Sequence, residues 1–503
     1  MPAPDLRLAA LAPIGFAAIG AVCVLLGEVL LSRRRQFLGR PISEAWVGTM
    51  LAFITALFLI LAVAAAGQGF LFGSSEVFHL GNPMLRLDHF SNFAILLIGV
   101  ASLLATGLSI TYLAELRINH GEYYALLLLA TAGMFLLVSA IDFMAVFLGL
   151  ELMSLPIYAL AGFDRRKLRS NESALKYFLI GSFASALLLY GVALLYGATG
   201  HTDFEGLQRV LDFENPLALI GCALVFAGFA FKIAAVPFHA WAPDVYEGAP
   251  TSVTAYMSVA VKVAAFAALL RFLRGALGDL EPEFVHVVWV LAVLTMLVGN
   301  VMAVIQQNVK RLLAYSSIAH AGYLLIGVVT GTQESYAGIL FYLAVYVFMN
   351  TGAFGVMIAL AHQGRDCENI DDFAGLARTR PGLAVLMTLF LVALAGIPGT
   401  AGFVAKFMLF APAVKEGHVV LAVIAVLTSL VSVYYYLRVP VAMWMRDPSE
   451  TAAPRFDLST SEFVVLSLCA ALVLALGLFP NHDPFFETLR FLDMARQSAA
   501  YLF

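Results

Sequence analysis

An all-α polytopic membrane protein of about fourteen helices is what this sequence predicts, and three observations predict it. Of 503 residues, 61% are hydrophobic and only 12% charged, with a mean hydropathy of +0.90; soluble domains carry about a quarter charged residues. Apolar stretches of the roughly 20 residues needed to cross a bilayer recur along the whole chain. Lysine and arginine gather in alternate connections between them.

Taken in order, the stretches lie near 8–31, 46–66, 90–112, 123–140, 142–163, 174–197, 216–239, 250–271, 285–306, 311–330, 335–362, 381–412, 417–443 and 462–480. The first is too long for the apolar core of a secretory signal and is followed by Arg33, Arg34 and Arg35, so it reads as a membrane helix. Connections are short and leave no separate soluble domain. Beyond Pro480, the residues Phe485, Phe486, Leu489, Phe491, Leu492 and Met494 have helix-like spacing and read as a segment lying on the membrane surface.

Odd-to-even connections hold seventeen of the 29 basic residues, among them Arg33, Arg117, Arg165, Arg166, Lys167, Lys310 and Arg311; the opposite face holds eight. The positive-inside rule then places both termini on the non-cytoplasmic side. A net charge of −4 without a run of five or six like charges gives nothing that points to a nucleic-acid partner. Cys23, Cys222, Cys367 and Cys469 lie far apart, with no spacing suited to zinc, an iron–sulfur cluster or a disulfide framework.

Four basic residues remain, all lysines inside apolar spans: Lys176, Lys232, Lys262 and Lys406. A lysine at the centre of a spanning helix costs about 2.5–3.5 kcal/mol on insertion scales, so these four need partners, water or a function. Glu151 lies near the middle of the fifth span, and Lys232 and Lys262 near the middles of the seventh and eighth. A buried Glu–Lys pair that only fixes packing is the plainer reading, but one pair leaves the other lysines unexplained. A relay explains the set, because burial disfavours the charged form of each group and a neighbouring opposite charge favours it, which couples their titrations. Lys176 follows Glu172 by four residues, the spacing of a helix pair, near the end of the sixth span. His320 is the only histidine within the middle of a span, and Ser316, Ser317 and Tyr323 beside it suggest a hydrated path rather than a haem ligand.

Pro237 lacks an N–H and frees the carbonyl of Ile233 beside Lys232, which predicts a broken seventh helix. Gly396, Pro398, Gly399 and Gly402 within one apolar stretch predict a second break, in the twelfth helix, before Lys406. The segments Gly228-Phe-Ala-Phe-Lys232 and Gly402-Phe-Val-Ala-Lys406 correspond at an offset of 174 residues. That offset spans five helices, so the second copy is inverted; it also carries Lys176 to Asn350, Lys262 to Tyr436 and Glu151 to Leu325.

The segments Asn171–Gly191, Lys232–Pro250, with its His239-Ala-Trp-Ala-Pro-Asp-Val-Tyr-Glu-Gly-Ala-Pro, and Ser316–Tyr323 closely resemble the antiporter-like subunits of respiratory complex I, the bacterial NADH-quinone oxidoreductase. The likeness extends over essentially the whole chain. It implies two inverted five-helix repeats with broken helices 7 and 12, so that the chain divides into 1–112, 123–271, 285–443 and 462–503. It implies that Glu151 pairs with Lys232, and that Lys262 and Lys406 continue the relay. Lysine at 406, and no long lateral helix after the last span, distinguish this chain within the family. His239, Asp244 and Glu247 fall in the connection after the seventh helix, a position for proton entry.

The resemblance implies a proton-translocating subunit in the bacterial inner membrane, assembled with other membrane-arm subunits, including other antiporter-like ones, and with lipid. No cofactor is expected in this subunit; NADH, FMN, iron–sulfur clusters and quinone belong to other subunits of such a complex. Multisubunit sodium/proton antiporters share the core motifs. A stand-alone cation/proton transporter and an inert membrane scaffold are the further alternatives.

Overall fold

The structure is a computed structural model and describes residues 11–33, 36–37, 40–41, 44–73, 75–80, 82–278, 282–361, 366–448, 458–479 and 491–503. Helices α1 (Ala12–Arg33), α2 (Glu44–Leu71) and α3 (His89–Glu115) open the chain. Strands β1 (Gln36–Phe37) and β2 (Arg40–Pro41) pair between α1 and α2, and a hairpin of β3 (Glu76–Leu80) and β4 (Asn82–Leu87) leads into α3. These small strands were not expected from the apolar periodicity, because they lie in the polar connections.

The next unit comprises α4 (Gly121–Ser139), α5 (Phe143–Ala161), α6 (Leu168–Thr199), the short α7 (Phe204–Val210), α8 (Pro216–Lys232) and α9 (Trp241–Gly248). It closes with one bent helix made of α10 (Thr251–Tyr256), a π segment at Met257–Val261, α11 (Lys262–Phe272) and a second π segment at Leu273–Leu277. Then follow α12 (Pro282–Val304), α13 (Val309–Thr330), α14 (Gln333–Leu360), α15 (Leu376–Thr379), α16 (Pro381–Ala395), α17 (Ala401–Lys415) and α18 (Val419–Met445). Helices α19 (Thr460–Leu478) and α20 (Phe491–Ala500) end the chain.

Among the described residues, twelve helices are long and apolar enough to cross a membrane. The two remaining expected spans are the discontinuous ones: α8 and α9 replace the seventh, α16 and α17 the twelfth. Polar residues set the helix starts. Asp88 accepts from Ser91 N–H, Asp142 from Met144 N–H, Asn308 from Arg311 N–H and Thr332 from Ser335 N–H, each satisfying a donor that the first turn leaves free.

Small residues bring the helices together, since lipid supplies no hydrophobic drive between them. A Cβ on Gly133 would stand 2.2 Å from the Met153 backbone nitrogen, and one on Gly149 2.7 Å from that of Leu137, so α4 and α5 touch backbone to backbone. Gly299 and Gly322 do the same for α12 and α13, at 2.6 Å from Ala319 N and 2.8 Å from Met296 N. The bent helix, α13 and α14 form the centre, and every residue of α14 from Ser335 to Leu360 is buried. The periphery turns apolar side chains outward, as with Leu30, Val420 and Leu430.

One expectation changes here. Residues 239–247 are not a connection beyond the seventh helix: Trp241–Gly248 is itself helical, with Trp241, Val245 and Tyr246 buried, and forms the second piece of the broken element. The tail is also tied to the bundle. Its helix α20 packs on α3 and α14, Ser498 donates to the His89 carbonyl at 3.3 Å, and Tyr501 lies 4.6 Å from the His89 ring. Phe485, Phe486 and Leu489 fall outside the described residues.

Candidate functional site

The first break begins where α8 runs out. Its last residue is Lys232, Ala234 takes a left-handed φ of +57°, the Val236–Pro237 peptide is cis, and α9 starts four residues later at Trp241. The end carbonyls are satisfied from within: that of Phe231 accepts from Ala234 N–H at 3.0 Å and from the Trp241 indole at 3.1 Å. Trp241 is held by stacking on Tyr177, 4.4 Å between centroids. The Lys232 ammonium is buried and donates to Ser154 Oγ at 2.7 Å and Tyr158 OH at 3.5 Å, with the rings of Tyr158 and Tyr177 at 5.3 and 5.5 Å. Such rings attract a cation through their negative faces.

Glu151 and Lys232 do not hydrogen-bond directly. Ser154, one turn after Glu151 on α5, takes the lysine, and Glu151 Oε1 is buried without a hydrogen-bond partner. Ser154 in turn donates to the Leu150 carbonyl. The lysine is thus held by a hydroxyl of the glutamate's own helix, and no hydrogen bond or ion pair joins Glu151 to it.

The second break has a different cap. Helix α16 ends at Ala395, Gly396 and Gly399 take φ of +81° and +90°, and α17 begins at Ala401. Glycine is needed at 396 and 399 because other residues rarely adopt that conformation. Here the lysine itself completes the helix end: Lys406 Nζ donates to the Ala395 carbonyl and to Ser429 Oγ, both at 2.7 Å, above the ring of Tyr323 at 5.1 Å. A helix C-terminus carries partial negative charge, so the broken end is a built-in counter-charge for Lys406.

Between the breaks, Lys262 follows directly on the π segment Met257–Val261. Its ammonium donates to the Ser317 carbonyl and, at 2.6 Å, to Ser317 Oγ, with the Tyr346 ring at 5.1 Å. One turn along α13, His320 is bonded on both nitrogens, Nδ1 to Tyr342 OH at 2.5 Å and Nε2 to Tyr436 OH at 3.0 Å; Tyr436 also bonds Ser316. A hydroxyl–imidazole chain therefore lies between Lys262 and the second break. Lys232, Lys262 and Lys406 are all held by hydroxyl and carbonyl oxygens, and among the described residues no carboxylate pairs with any of them.

Lys176 stands apart from this row. It is two-fifths exposed and bonds Glu172 at 2.7 Å, as the spacing predicted, and Asp244 at 2.8 Å. Asp244 and Glu247 both receive Arg311, at 2.7 and 3.0 Å. His239 lies in the first break, half-buried, with Nδ1 unpartnered, and does not join Asp244 and Glu247. Ser154, Tyr158, Tyr342, Tyr436 and Ser429 are contacts that motif reading missed. Only Tyr436 had a signal, as the residue 174 positions after Lys262.

Buried lysines at two helix breaks, with a third buried lysine and a hydroxyl–imidazole group between them, mark an antiporter-like membrane protein. Residues 140–432 match the family model described as NADH:quinone oxidoreductase/Mrp antiporter, TM. Among curated relatives, subunit N of NADH-quinone oxidoreductase from Trichlorobacter lovleyi is 45% identical over 426 residues, 84% of this chain and 87% of that one. Subunit N 2 from Rhizobium meliloti is 42% identical, over 98% and 99% of the two chains. A chain of respiratory complex I from Thermus thermophilus superposes with a TM-score of 0.78 at 35% identity, covering 93% of this chain and 97% of that one. A chain of the Mrp complex from a Dietzia species superposes at 0.85 with 24% identity, over 99% and 98%, which shows the shared fold. The chain belongs to the NADH-quinone oxidoreductase subunit N family.

Proposed function

We propose that this chain moves protons across the bacterial inner membrane as a non-redox, membrane-arm subunit of NADH-quinone oxidoreductase, with both termini on the non-cytoplasmic side. The observation that carries the proposal is the set of three buried lysines, each held by neutral oxygens. An amine in such a site is costly to keep charged and has acceptors ready when it is. Lys232 holds a proton on Ser154 and Tyr158, under the influence of the Glu151 charge one turn before Ser154. Lys262 receives it and passes it by Ser317, Ser316, Tyr436 and His320 toward Lys406, which releases it. Lys176, Asp244 and Glu247 form a charged mouth at one end of the bundle. NADH, FMN, iron–sulfur clusters and quinone are assigned to other subunits, and other antiporter-like subunits are its neighbours.

Magnitudes are compatible. Moving one charge against 100 mV costs about 2.3 kcal/mol. A change in proton affinity of about two pKa units per step, at about 1.4 kcal/mol each, is of that size. The test is the Lys262→Ala complex in inverted vesicles: normal assembly with loss of proton uptake per electron is expected, and uptake at the parent ratio defeats the proposal. A sodium/proton antiporter subunit shares the fold, but identity to the complex I chain is higher. Purification separates the two readings, since a complex I subunit co-purifies with NADH-oxidising partners.

A further inference from the structure

A second set of polar groups, in several separately bonded clusters, lies between α3, α4, α14 and the first half of the bent helix. It starts at a cavity of about 480 Å³ whose wall includes Lys167, Asp366, Lys310 and Pro250. Lys167 Nζ pairs with Asp366 at 2.8 Å, and Tyr112 OH donates to the same carboxylate at 2.9 Å. Tyr112 OH in turn accepts from Thr251 N–H at 3.0 Å, the first residue of α10. Ser252 meets Tyr123 OH at 3.0 Å, and Tyr123 meets Ser109 at 2.8 Å. Further along the same helix Tyr256 OH meets Thr131 at 2.8 Å, which meets Ser102 at 3.0 Å. The last rung is Ser258, which accepts from Asn350 Nδ2 at 2.7 Å and lies one turn before Lys262.

Two features at that last rung call for water. Asn350, fully buried on α14, leaves its Oδ1 without a partner, and the hydroxyl of the adjacent Thr351 is buried and unpartnered as well. Buried polar atoms are nearly always satisfied, and where protein does not do it an internal water does. Between Ser258 and Lys262 the backbone is the π segment, a form that recurs at functional sites because it shifts the regular carbonyl bonding. Tyr346, one turn before Asn350, places its ring against Lys262, so one face of α14 spans both Ser258 and Lys262.

We propose that Asn350 Oδ1 holds a buried water that hands protons to Lys262, as the last member of a ladder in which further waters bridge these separate hydroxyl groups to the Lys167–Asp366 cavity. The water gives one proton to the neutral amine and takes one from the ladder, so no atom is gained or lost. The inference rests on the relay reading of Lys262 and adds an uptake route for it through α3, α4 and α14.

The test uses the assembled complex in vesicles, reading NADH-driven proton uptake. Asn350→Leu is expected to slow uptake by about a hundredfold, at the low end of what a positioned proton-transfer group contributes. Asn350→Ser, short and polar with space for a second water, is expected to stay near the parent rate. Parent-rate uptake in Asn350→Leu overturns the ladder. If the leucine variant does not assemble, Ser258→Ala decides in the same way: slowed uptake supports the route and an unchanged rate removes it. Lys262→Ala separates the two claims, since uptake lost there but normal in Asn350→Leu removes the ladder and leaves the relay standing.

Discussion

At the scale of single residues, the balance between charge burial and pairing decides most of what this chain does. Asp88 and Arg271 show the paired case: nearly inaccessible, they form two hydrogen bonds of 3.0 and 2.7 Å, with Arg271 also over the Phe90 ring. Burial alone would push the Asp88 carboxyl up, but the Arg271 guanidinium and Ser91 hold it below its usual range. A depressed folded value means the pair's contribution is complete above the unfolded carboxylate value of about 4 and is lost only as pH falls through the lower folded one. Thermal inactivation should therefore show no dependence on this pair between about pH 5 and 8. Asp88→Ala should cost about 3–5 kcal/mol by stranding the arginine, and Asp88→Leu with Arg271→Met should recover most of it. Equal losses in the single and double variants would contradict this. Ser154→Ala tests the unpaired case. It removes the nearer acceptor of Lys232, about 1–3 kcal/mol if the donor is left unsatisfied, and pumping should fall while assembly persists.

At the scale of elements, the two breaks solve one problem with different parts. The first is closed by Trp241 and the second by Lys406, so equivalent substitutions should differ in effect. Trp241→Phe keeps the stack on Tyr177 but loses the bond to the Phe231 carbonyl, a cost of about 0.5–1.5 kcal/mol in stability with the lysine undisturbed. Gly402→Ala would bring a Cβ to 1.8 Å from the Ala393 carbonyl, whereas a Cβ on Gly382 meets nothing within 4 Å. Gly402→Ala should therefore destabilise by about 1–3 kcal/mol and impair pumping, with Gly382→Ala as the neutral comparison. Melting of the purified complex and vesicle uptake measure both; indistinguishable variants would show that the second break is not rigid.

At the scale of the whole molecule, a fully buried centre of α13, α14 and the bent helix is wrapped by helices with apolar outer faces. The arrangement buries Lys232, Lys262 and Lys406 inside the bundle. The proposed orientation makes a direct prediction. A cysteine replacing Arg166 should react with an impermeant thiol reagent only from the cytoplasmic side, and one replacing Glu214 only from the other. Three of the native cysteines, Cys222, Cys367 and Cys469, are buried and give little background. The reverse pattern would invert the topology.

Composition and apolar run length were enough to read the class, the span positions and both breaks, because each depends on local properties: hydropathy over about 20 residues, proline without an N–H, glycine at a positive φ. The intramembrane lysines were legible for the same reason, as costs a span does not bear idly. What each lysine touches was not legible. Ser154, Ser317 and Ser429 are ordinary serines in sequence, and only the approach of α5 to α8, of α13 to the bent helix and of α17 to α18 makes them acceptors. The structure likewise moved Lys176 out of the row to Asp244 and turned residues 241–248 into a helix, since ion pairing and burial there come from α6 and α13, distant in sequence. The sequence by itself determined where charge enters the membrane; the tertiary structure decided what answers it, because hydrogen bonds require a few ångströms of proximity that no local pattern encodes.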